Sequence, residues 1–187
     1  MKPILHDFPE TFQSERLLIR APRLGDGPTL NAAIVESIHE LRPWMPWAKE
    51  IPSVDDSEEN IRRAVACFIA REDLRLQIHL KCDGTFIGGS GLHWIDWDVP
   101  KFEIGYWVRT SQTRQGYASE AVRAIAEFAF NVLAARRVEI RMDETNRASQ
   151  RVAERAGFKV EAILSAFSRD HHGVLRDTRI YARTQGD

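Results

Sequence analysis

The stretch from Lys101 to Ser119, a strand followed by a glycine turn and a helix, is the part of the sequence best suited to chemistry. Branched and aromatic residues run up to Val108, polar residues lead to Gly116, and small and apolar residues at helical spacing follow. The first N–H groups of a helix and the positive end of its dipole point at one place. Because glycine lets a ligand approach the backbone closely, the turn predicts a phosphate-binding site.

The groups expected to bind the phosphate lie around this glycine. Arg114 can add a charge-assisted contact to a phosphate oxygen. The backbone donors are expected at the start of the helix: Gln115, Gly116, Tyr117, Ala118 and Ser119. The alternative is an ordinary strand-to-helix turn that binds nothing.

The composition is that of a soluble globular protein with balanced charge. The 187 residues have 43% hydrophobic and 28% charged side chains, which suits a single domain over residues 1–187. The net charge of −1 gives no bulk attraction to nucleic acid or membrane, so neither is expected as a partner. Cys67 and Cys82 form no spaced metal-binding pattern, so no metal is expected and a reducing compartment is indicated. No signal peptide or membrane span is apparent, which makes the cytoplasm the expected location.

Periodicity and turn signals predict strands and helices on both sides of the central stretch. Before it, the pattern predicts a strand over Glu15–Pro22, a helix capped by Asp26, a helix capped by Asp55 or Asp56, and a hairpin of Leu74–Lys81 with Thr85–Trp94. The apolar face predicted for the second helix is Ile61, Val65, Phe68 and Ile69. The central helix is expected to run to about Ala135, followed by a strand over Val138–Met142, a helix from Asn146 to Gly157, and extended stretches over Phe158–Arg169 and Val174–Ala182.

Trp44 and Trp47 lie in a proline-rich segment that cannot form a continuous helix. They either cover the core or form a wall of a substrate cleft, because ligand sites are often lined by aromatic side chains on loops.

Two other features invite a functional interpretation. Gly88, Gly89 and Gly91 suggest a phosphate loop, but no lysine–hydroxyl pair and no helix follow. A bulge or a close backbone approach is therefore expected there. His79 and His93 are expected to be ordinary strand histidines rather than ligands.

Two segments resemble the GNAT N-acetyltransferase superfamily. QGYASEAV, after the strand EIGYWV, resembles its acyl-CoA loop, and NRASQRVAERAGF, after VEIRM, resembles its next helix. The EIGYW strand, an early W-x-x-W segment and N-x-x-S in place of N-x-x-A resemble the Rim-type branch, which acts on the N-terminal α-amine of ribosomal proteins. The resemblance implies acetyl-CoA as co-substrate. It also implies a GNAT-like α/β (α+β) fold, with a mixed, mostly antiparallel sheet, a splayed central strand pair and flanking helices.

The resemblance assigns further residues to the cofactor. Backbone groups of Trp107, Val108 and Arg109 would pair with the pantetheine arm, and the side chain of Asn146 would contact the same arm unless it is a plain N-cap. The superfamily usually has Gln or Arg three residues before the glycine, where this chain has Thr113. Phosphate binding would then depend on the arginine that follows and on the backbone.

Acetyl transfer to an amine needs an unprotonated nucleophile, a stabilised oxyanion and a proton for the departing thiolate. Many family members have a tyrosine where this chain has Ala153; Ser149, one turn earlier on the same helix face, is the thiolate-side candidate by resemblance to the Rim-type branch. Glu103 is the candidate base or ammonium ligand. A solvent-facing serine and a surface carboxylate are the alternatives. The residues expected to shape the acceptor side are Trp44, Trp47 and Tyr106.

The sequence therefore predicts an acetyl-CoA-dependent N-acetyltransferase in which an amine attacks the thioester directly in a ternary complex. A protein N-terminal α-amine is the expected acceptor, and a small-molecule amine such as a polyamine or aminoglycoside is the alternative. A non-catalytic acyl-CoA-binding module is the alternative from another class, kept open by the missing tyrosine. Dimers are frequent among resembling proteins, so the resemblance leaves a homodimer open.

Overall fold

The computed structural model describes residues 2–170 and 172–186, and within these ranges the chain forms one mixed β-sheet with helices packed on it. The strands are β1 (Thr11–Gln13), β2 (Leu17–Arg20), β3 (Leu74–Leu80), β4 (Phe86–Asp96), β5 (Lys101–Val108), β6 (Arg137–Asp143), β7 (Lys159–Arg169) and β8 (Leu175–Thr184). The helices are α1 (Gly27–Leu41), α2 (Val54–Ala70), α3 (Tyr117–Asn131) and α4 (Arg147–Arg155), with short 3-10 turns at Pro3–Leu5 and Thr110–Gln112.

The described strands follow the order β1-β2-β3-β4-β5-β6-β8-β7 across the sheet. Neighbouring strands are antiparallel, apart from the central pair β5 and β6, which is parallel among the described residues. The β5–β6 ladder runs from Lys101 opposite Arg137 to Glu103 opposite Glu139 and ends there within the described chain. Beyond Glu103 the two strands diverge, which confirms the predicted fold class with its splayed central pair.

Alternation along β5 gives the centre of the sheet two different faces. Phe102 and Ile104 are buried in the main core, where they pack with α3 residues such as Ile125. We call this the core face. The opposite side carries Gly89, Gly91 and His93 of β4, which pair with Trp107, Gly105 and Glu103 of β5, and we call it the cleft face.

The cleft face is partly covered by α1 and the segment after it. Ile34, Ile38, Leu41 and Ala48 form a second buried cluster, and Trp107 packs against it. The position of α1 is therefore tied to the end of β5, close to where the strand leads into the turn before α3.

Several predicted helix boundaries are wrong by a few residues. The N-cap of α2 is Ser53, whose hydroxyl accepts from the Asp56 N–H while the Asp56 carboxylate accepts from the Ser53 N–H. Asp56 is thus the third-position partner of a capping box rather than the cap. Asp26 does occupy the predicted N-cap position of α1, but its carboxylate binds Arg20, with nitrogen–oxygen distances of 2.8 Å, and makes no side-chain cap bond. Ile69 was predicted to face inward but is exposed.

The central helix is also shorter than predicted. It ends at Asn131 rather than near Ala135, because Ala134 adopts a φ of 55° and turns the chain toward β6. Gly88, in contrast, has the close backbone approach that was expected, since a Cβ at this position would overlap the carbonyl oxygen of Trp107. Among the described residues, no helix is both long and apolar enough to cross a membrane.

Candidate active site

The edge of β5 that faces the gap toward β6 is the first component of the site. The N–H of Arg109 donates to the carbonyl of Ile87 at 2.8 Å and therefore points to the β4 side. Successive residues direct their backbone groups to alternate edges, so Trp107 shares this direction while Val108 and Tyr106 point into the gap. Of the three residues predicted to pair with the pantetheine arm, Val108 thus faces the gap, whereas the Arg109 N–H is bonded to Ile87 and Trp107 is directed to the same side.

The turn before α3 has the backbone conformation that the phosphate-site prediction requires. Arg114 has a φ of 62° and Gly116 a φ of 82°, and the helix begins at Tyr117. The N–H of Glu120 makes the first intrahelical bond, to the Gly116 carbonyl at 3.1 Å. The N–H groups of Tyr117, Ala118 and Ser119 precede that bond and point out of the helix start. Arg114 is exposed and precedes Gly116 by two residues.

Arg16 is a second guanidinium at this turn and was missed by the sequence interpretation. It donates to the Gln115 carbonyl at 3.1 Å, and its guanidinium lies 4.5 Å from the ring centroid of Tyr117. Glu120 holds it through an Nε–carboxylate contact of 2.7 Å. Burial raises the pKa of Glu120, but hydrogen bonds from Ser14 and Arg16 outweigh it, so the net pKa is lowered. Arg16 is thus fixed next to the helix start.

The residues between β5 and the turn are held by α1. Arg109 forms an ion pair with Glu36 through Nε at 2.9 Å, and the N–H of Ser111 donates to the same carboxylate at 2.8 Å. The hydrogen bond from Arg109 lowers the pKa of Glu36 to about 2. The Thr113 hydroxyl donates to the Thr110 carbonyl at 2.9 Å, so it is engaged within the 3-10 turn.

The start of α4 brings two hydroxyl groups together. Asn146 is the N-cap, as predicted, and its Oδ1 accepts from the Ser149 N–H at 3.1 Å. The Ser149 Oγ lies 2.7 Å from the Tyr106 hydroxyl, which also donates to the Ser149 carbonyl at 3.1 Å. Burial raises the pKa of Tyr106 to about 12, so its phenol stays protonated at neutral pH. Ala153, where a tyrosine is common in the superfamily, is fully buried in the core.

Glu103 lies where β5 and β6 separate. Arg141 of β6 approaches its carboxylate at 3.3 Å, and Arg141 also binds Glu139 at 2.7 Å. Burial raises the pKa of Glu103, and the positive charge of Arg141 opposes this shift only in part. A cavity of about 500 Å³ opens beside it, lined by Trp94, Asp96, Lys101, Phe102, Glu103, Arg137, Glu139 and Arg141.

Aromatic side chains surround the cleft face. The Trp47 ring lies 6.0 Å from that of Trp107, centroid to centroid, and Trp44 and Trp47 are 41% and 50% exposed. Trp94, at the bulge of β4, is 82% exposed and has a φ of 48°, an unusual conformation for a bulky residue. Tyr106 is on the core face. It is therefore on the other side of the sheet from Trp47, with which it was predicted to shape the acceptor side.

Comparison with known proteins identifies the arrangement. Residues 16–159 match the family model described as Acetyltransferase (GNAT) domain. The chain belongs to the GNAT acetyltransferase family. A curated relative, "Putative ribosomal N-acetyltransferase YdaF" of Bacillus subtilis (strain 168), is 31% identical over 153 residues, covering 79% of this chain and 80% of the relative. The predicted family and the enzyme class, an N-acetyltransferase that uses acetyl-CoA, are thereby confirmed.

Solved structures agree with the GNAT assignment. RimJ of Mycobacterium smegmatis in complex with CoA-disulfide superposes with a TM-score of 0.80 at 26% identity, covering 90% of this chain and 81% of that chain. RimL, a ribosomal L7/L12 alpha-N-protein acetyltransferase in complex with coenzyme A, reaches a TM-score of 0.87 at 22% identity, covering 94% of this chain and 98% of that chain. The second comparison concerns the fold alone.

The structure brings some of the predicted residues together. Tyr106 of β5 is joined to Ser149 at the start of α4 by hydrogen bonds, and Val108 leads through the 3-10 turn to the turn at Gly116. The interpretation missed Arg16 and Trp94. An unusual tryptophan in an otherwise alternating strand was a usable signal for Trp94, whereas no spacing links residue 16 to the turn before α3.

Proposed function

We propose that this GNAT enzyme transfers the acetyl group of acetyl-CoA to the N-terminal α-amine of a protein, by direct attack of the amine in a ternary complex. The observation that carries the proposal is the open edge of β5 beyond Glu103. In the part of the chain that the structure describes, β6 does not pair with β5 there, so the edge groups of Tyr106 and Val108 face the gap, with the turn at Gly116 and the helix start at Asn146 on either side.

The cofactor follows from the chemistry of the gap. The pantetheine arm of CoA carries two amides, which can pair with the edge groups of Val108 and Tyr106 as a missing strand would. The pyrophosphate would then meet the N–H groups of α3 and the guanidinium groups of Arg114 and Arg16. RimL was solved in complex with coenzyme A and RimJ in complex with CoA-disulfide, which supports CoA as the ligand of the gap.

The acceptor amine is assigned to the cleft face. An α-amine has a pKa of about 8, so roughly a tenth of it is unprotonated at pH 7. The carboxylate of Glu103 is placed to attract the ammonium form into the closed end of the gap. Trp47 and Trp107 would form an apolar wall along the entering chain, with Trp94 at the far side of the cavity.

The departing thiolate is assigned to the hydroxyl pair of Ser149 and Tyr106. The Tyr106 phenol is protonated at neutral pH, as any tyrosine is, and burial raises its pKa further, to about 12. Ser149 can donate a proton to the sulfur, and the Tyr106 hydroxyl, 2.7 Å away, can then donate a hydrogen bond to the Ser149 oxygen. Tyr106 of β5 therefore supplies a phenol beside Ser149, one helical turn from Ala153, where many family members have a tyrosine.

The choice of a protein N-terminus over a polycationic small molecule rests on charge and on relatives. The cavity beside Glu103 is lined by three acidic and three basic side chains: Asp96, Glu103, Glu139, Lys101, Arg137 and Arg141. A polyamine or aminoglycoside would favour an acidic cleft, and this cavity is balanced. The names of YdaF and RimL refer to ribosomal acetylation and to an alpha-N-protein acetyltransferase.

The test is CoA release from acetyl-CoA with a panel of acceptors. Peptides that begin with Ser, Ala, Met or Thr would be compared with the same peptides blocked at the N-terminus, and with spermidine and an aminoglycoside. We expect turnover of free α-amines and none of the blocked peptides. Turnover of the small amines alone would replace the acceptor assignment, and acetyl-CoA binding without turnover of any acceptor would favour the non-catalytic module.

A further inference from the structure

An aspartate and a histidine form a hydrogen-bonded pair on the cleft face, next to Glu103. The Nδ1 of His93 lies 2.5 Å from Oδ1 of Asp73, at the start of β3. Burial raises the pKa of Asp73, but the hydrogen bond from His93 and the neighbouring Arg75 outweigh it, so its pKa is lowered. The aspartate therefore stays ionised and accepts the Nδ1–H, which leaves the lone pair of the neutral imidazole on Nε2.

Glycines fix the plane of this imidazole. A Cβ at Gly91 would lie 2.6 Å from Cε1 and 2.8 Å from Nε2 of His93, and a Cβ at Gly105 would lie 3.1 Å from Cδ2 and Nε2. The ring thus lies flat over two positions that have no side chain. Asp73 binds Nδ1 on one edge of the ring, and the backbone at Gly91 and Gly105 supports the ring plane, so the direction of Nε2 is fixed.

The pair lies where the reaction is expected. His93 is the cross-strand partner of Glu103, and directly opposed residues have Cβ atoms roughly 4.5–5.5 Å apart. Gly105, beneath Nε2, is two residues beyond Glu103, in the part of β5 that has left β6. The His93 side chain is 30% exposed, and within residues 2–170 and 172–186 its Nε2 forms no hydrogen bond.

The charged groups around the pair come from each neighbouring strand. Arg75 of β3 binds Asp73 at 3.0 Å and also reaches Asn60 of α2 at 2.9 Å. Glu103 of β5 faces the histidine directly, with Arg141 of β6 behind it. An ammonium group bound by Glu103 would therefore lie beside His93, whose ring orientation is already fixed.

We propose that Nε2 of His93 accepts the proton of the acceptor ammonium, that Asp73 is the positioning residue for His93, and that Glu103 binds the ammonium rather than keeping its proton. This inference rests on the proposed acetyl transfer to an amine and names the base that the reaction uses. The Glu103 carboxylate is already shared with Arg141, whereas Nε2 of His93 forms no hydrogen bond among the described residues.

The ammonium loses one proton to Nε2, and the imidazolium releases it to solvent. The freed nitrogen forms its bond to the thioester carbon, the carbon–sulfur bond breaks, and Ser149 supplies a proton to the sulfur. The second nitrogen proton, lost as the amide forms, restores the Ser149 hydroxyl through water, so the products are the amide, the CoA thiol and one proton in solvent.

The experiment compares His93→Gln, Asp73→Asn and the control His39→Gln, an exposed histidine on α1. At pH 7 we expect kcat to fall about 100-fold or more for H93Q and about tenfold or more for D73N, while H39Q stays within about twofold. The H93Q deficit should shrink toward pH 9, because more of the amine is already unprotonated there. Acetyl-CoA affinity should be unchanged in all three proteins.

Two further readouts separate proton transfer from a structural role. Long-range proton–nitrogen NMR of the His93 ring should show the Nδ1–H tautomer in the parent and its loss in D73N. Imidazole added to His93→Ala should restore turnover, since it can occupy the space above the two glycines. H93Q and D73N rates within about threefold of the parent from pH 6 to 9 would overturn the proposal while the parent's turnover keeps the proposed function. A parent that acetylates no amine would overturn both.

Discussion

Replacing Gly116 with alanine tests whether the turn before α3 binds the cofactor through its backbone. The residue has a φ of 82°, and a Cβ there would contact only the Arg16 Nη2, at an ordinary 3.5 Å, among the described atoms. The cost is thus conformational, about 1–2 kcal/mol for an L-residue in the left-handed region. If the backbone at residue 116 rotates to relieve that strain, the N–H groups at the start of α3 no longer point at the phosphate position. We expect the dissociation constant for CoA to rise at least tenfold, which is about 1.4 kcal/mol.

Gly84→Ala is the matched control, because Gly84 has a φ of 76° in the β3–β4 turn and a Cβ there would meet nothing within 4 Å. Both variants should lose about 1–2 kcal/mol of unfolding free energy in urea denaturation. Isothermal titration with CoA should show weakened binding for G116A alone. Equal dissociation constants for the two variants would refute backbone binding at the turn.

Three other predictions address the remaining components. Glu103→Gln should lower kcat/KM for the acceptor about tenfold with acetyl-CoA affinity intact. Because burial raises the pKa of Glu103, this carboxylate is protonated at a higher pH than an ordinary glutamate, whose pKa is about 4.3. The parent should therefore lose kcat/KM on acidification while the pH is still above that value, and the variant should lack that loss. Tyr106→Phe should lower kcat by about tenfold and the unfolding free energy by about 1 kcal/mol, with the acceptor KM unchanged in steady-state kinetics. Ser53→Ala should cost about 1 kcal/mol of stability with normal kcat, whereas Asp55→Ala should leave the urea midpoint unchanged. The opposite ranking would be expected if Asp55 were the N-cap of α2.

The arrangement of strands could be predicted because apolar and polar side chains alternate along them, although the polar row of β3 is also buried at Gln77 and His79. In β3, Leu74, Leu76 and Ile78 are buried at period two, and the Asp83-Gly84 turn sets the return strand. The cap of α2 could not be predicted in the same way, since Ser53 and the two aspartates after it are all acceptable N-caps. Asn31 of α1 decides between them: it donates to the carbonyls of Pro52 and Ser53 and so fixes the chain just before the helix.

The site was predictable where its residues follow one another in the chain. Gly116 and Asn146 each stand at a strand-to-helix junction, and the local pattern identifies such junctions. Arg16, Asp73 and His93 reach the site through tertiary contacts instead. Arg16 is brought to Gln115 by the ion pair with Glu120, and His93 meets Asp73 through the β3–β4 register. Nothing in the spacing of these residues encodes either contact.

The two faces of β5 explain how one strand can serve both ends of the reaction. On the core face, Phe102 and Ile104 anchor the strand under α3, and Tyr106 continues the same row to the Ser149 hydroxyl. On the cleft face, Gly105 lies between Glu103 and Trp107 and leaves room for an imidazole from β4. Glycine weakens a strand, since it has no side chain to pack. The buried row on the opposite face compensates for that weakness. The strand can therefore lose its β6 partner beyond Glu103 and still hold Tyr106 and Glu103, the residues proposed for the thiolate and the amine, in fixed positions on opposite faces of one backbone.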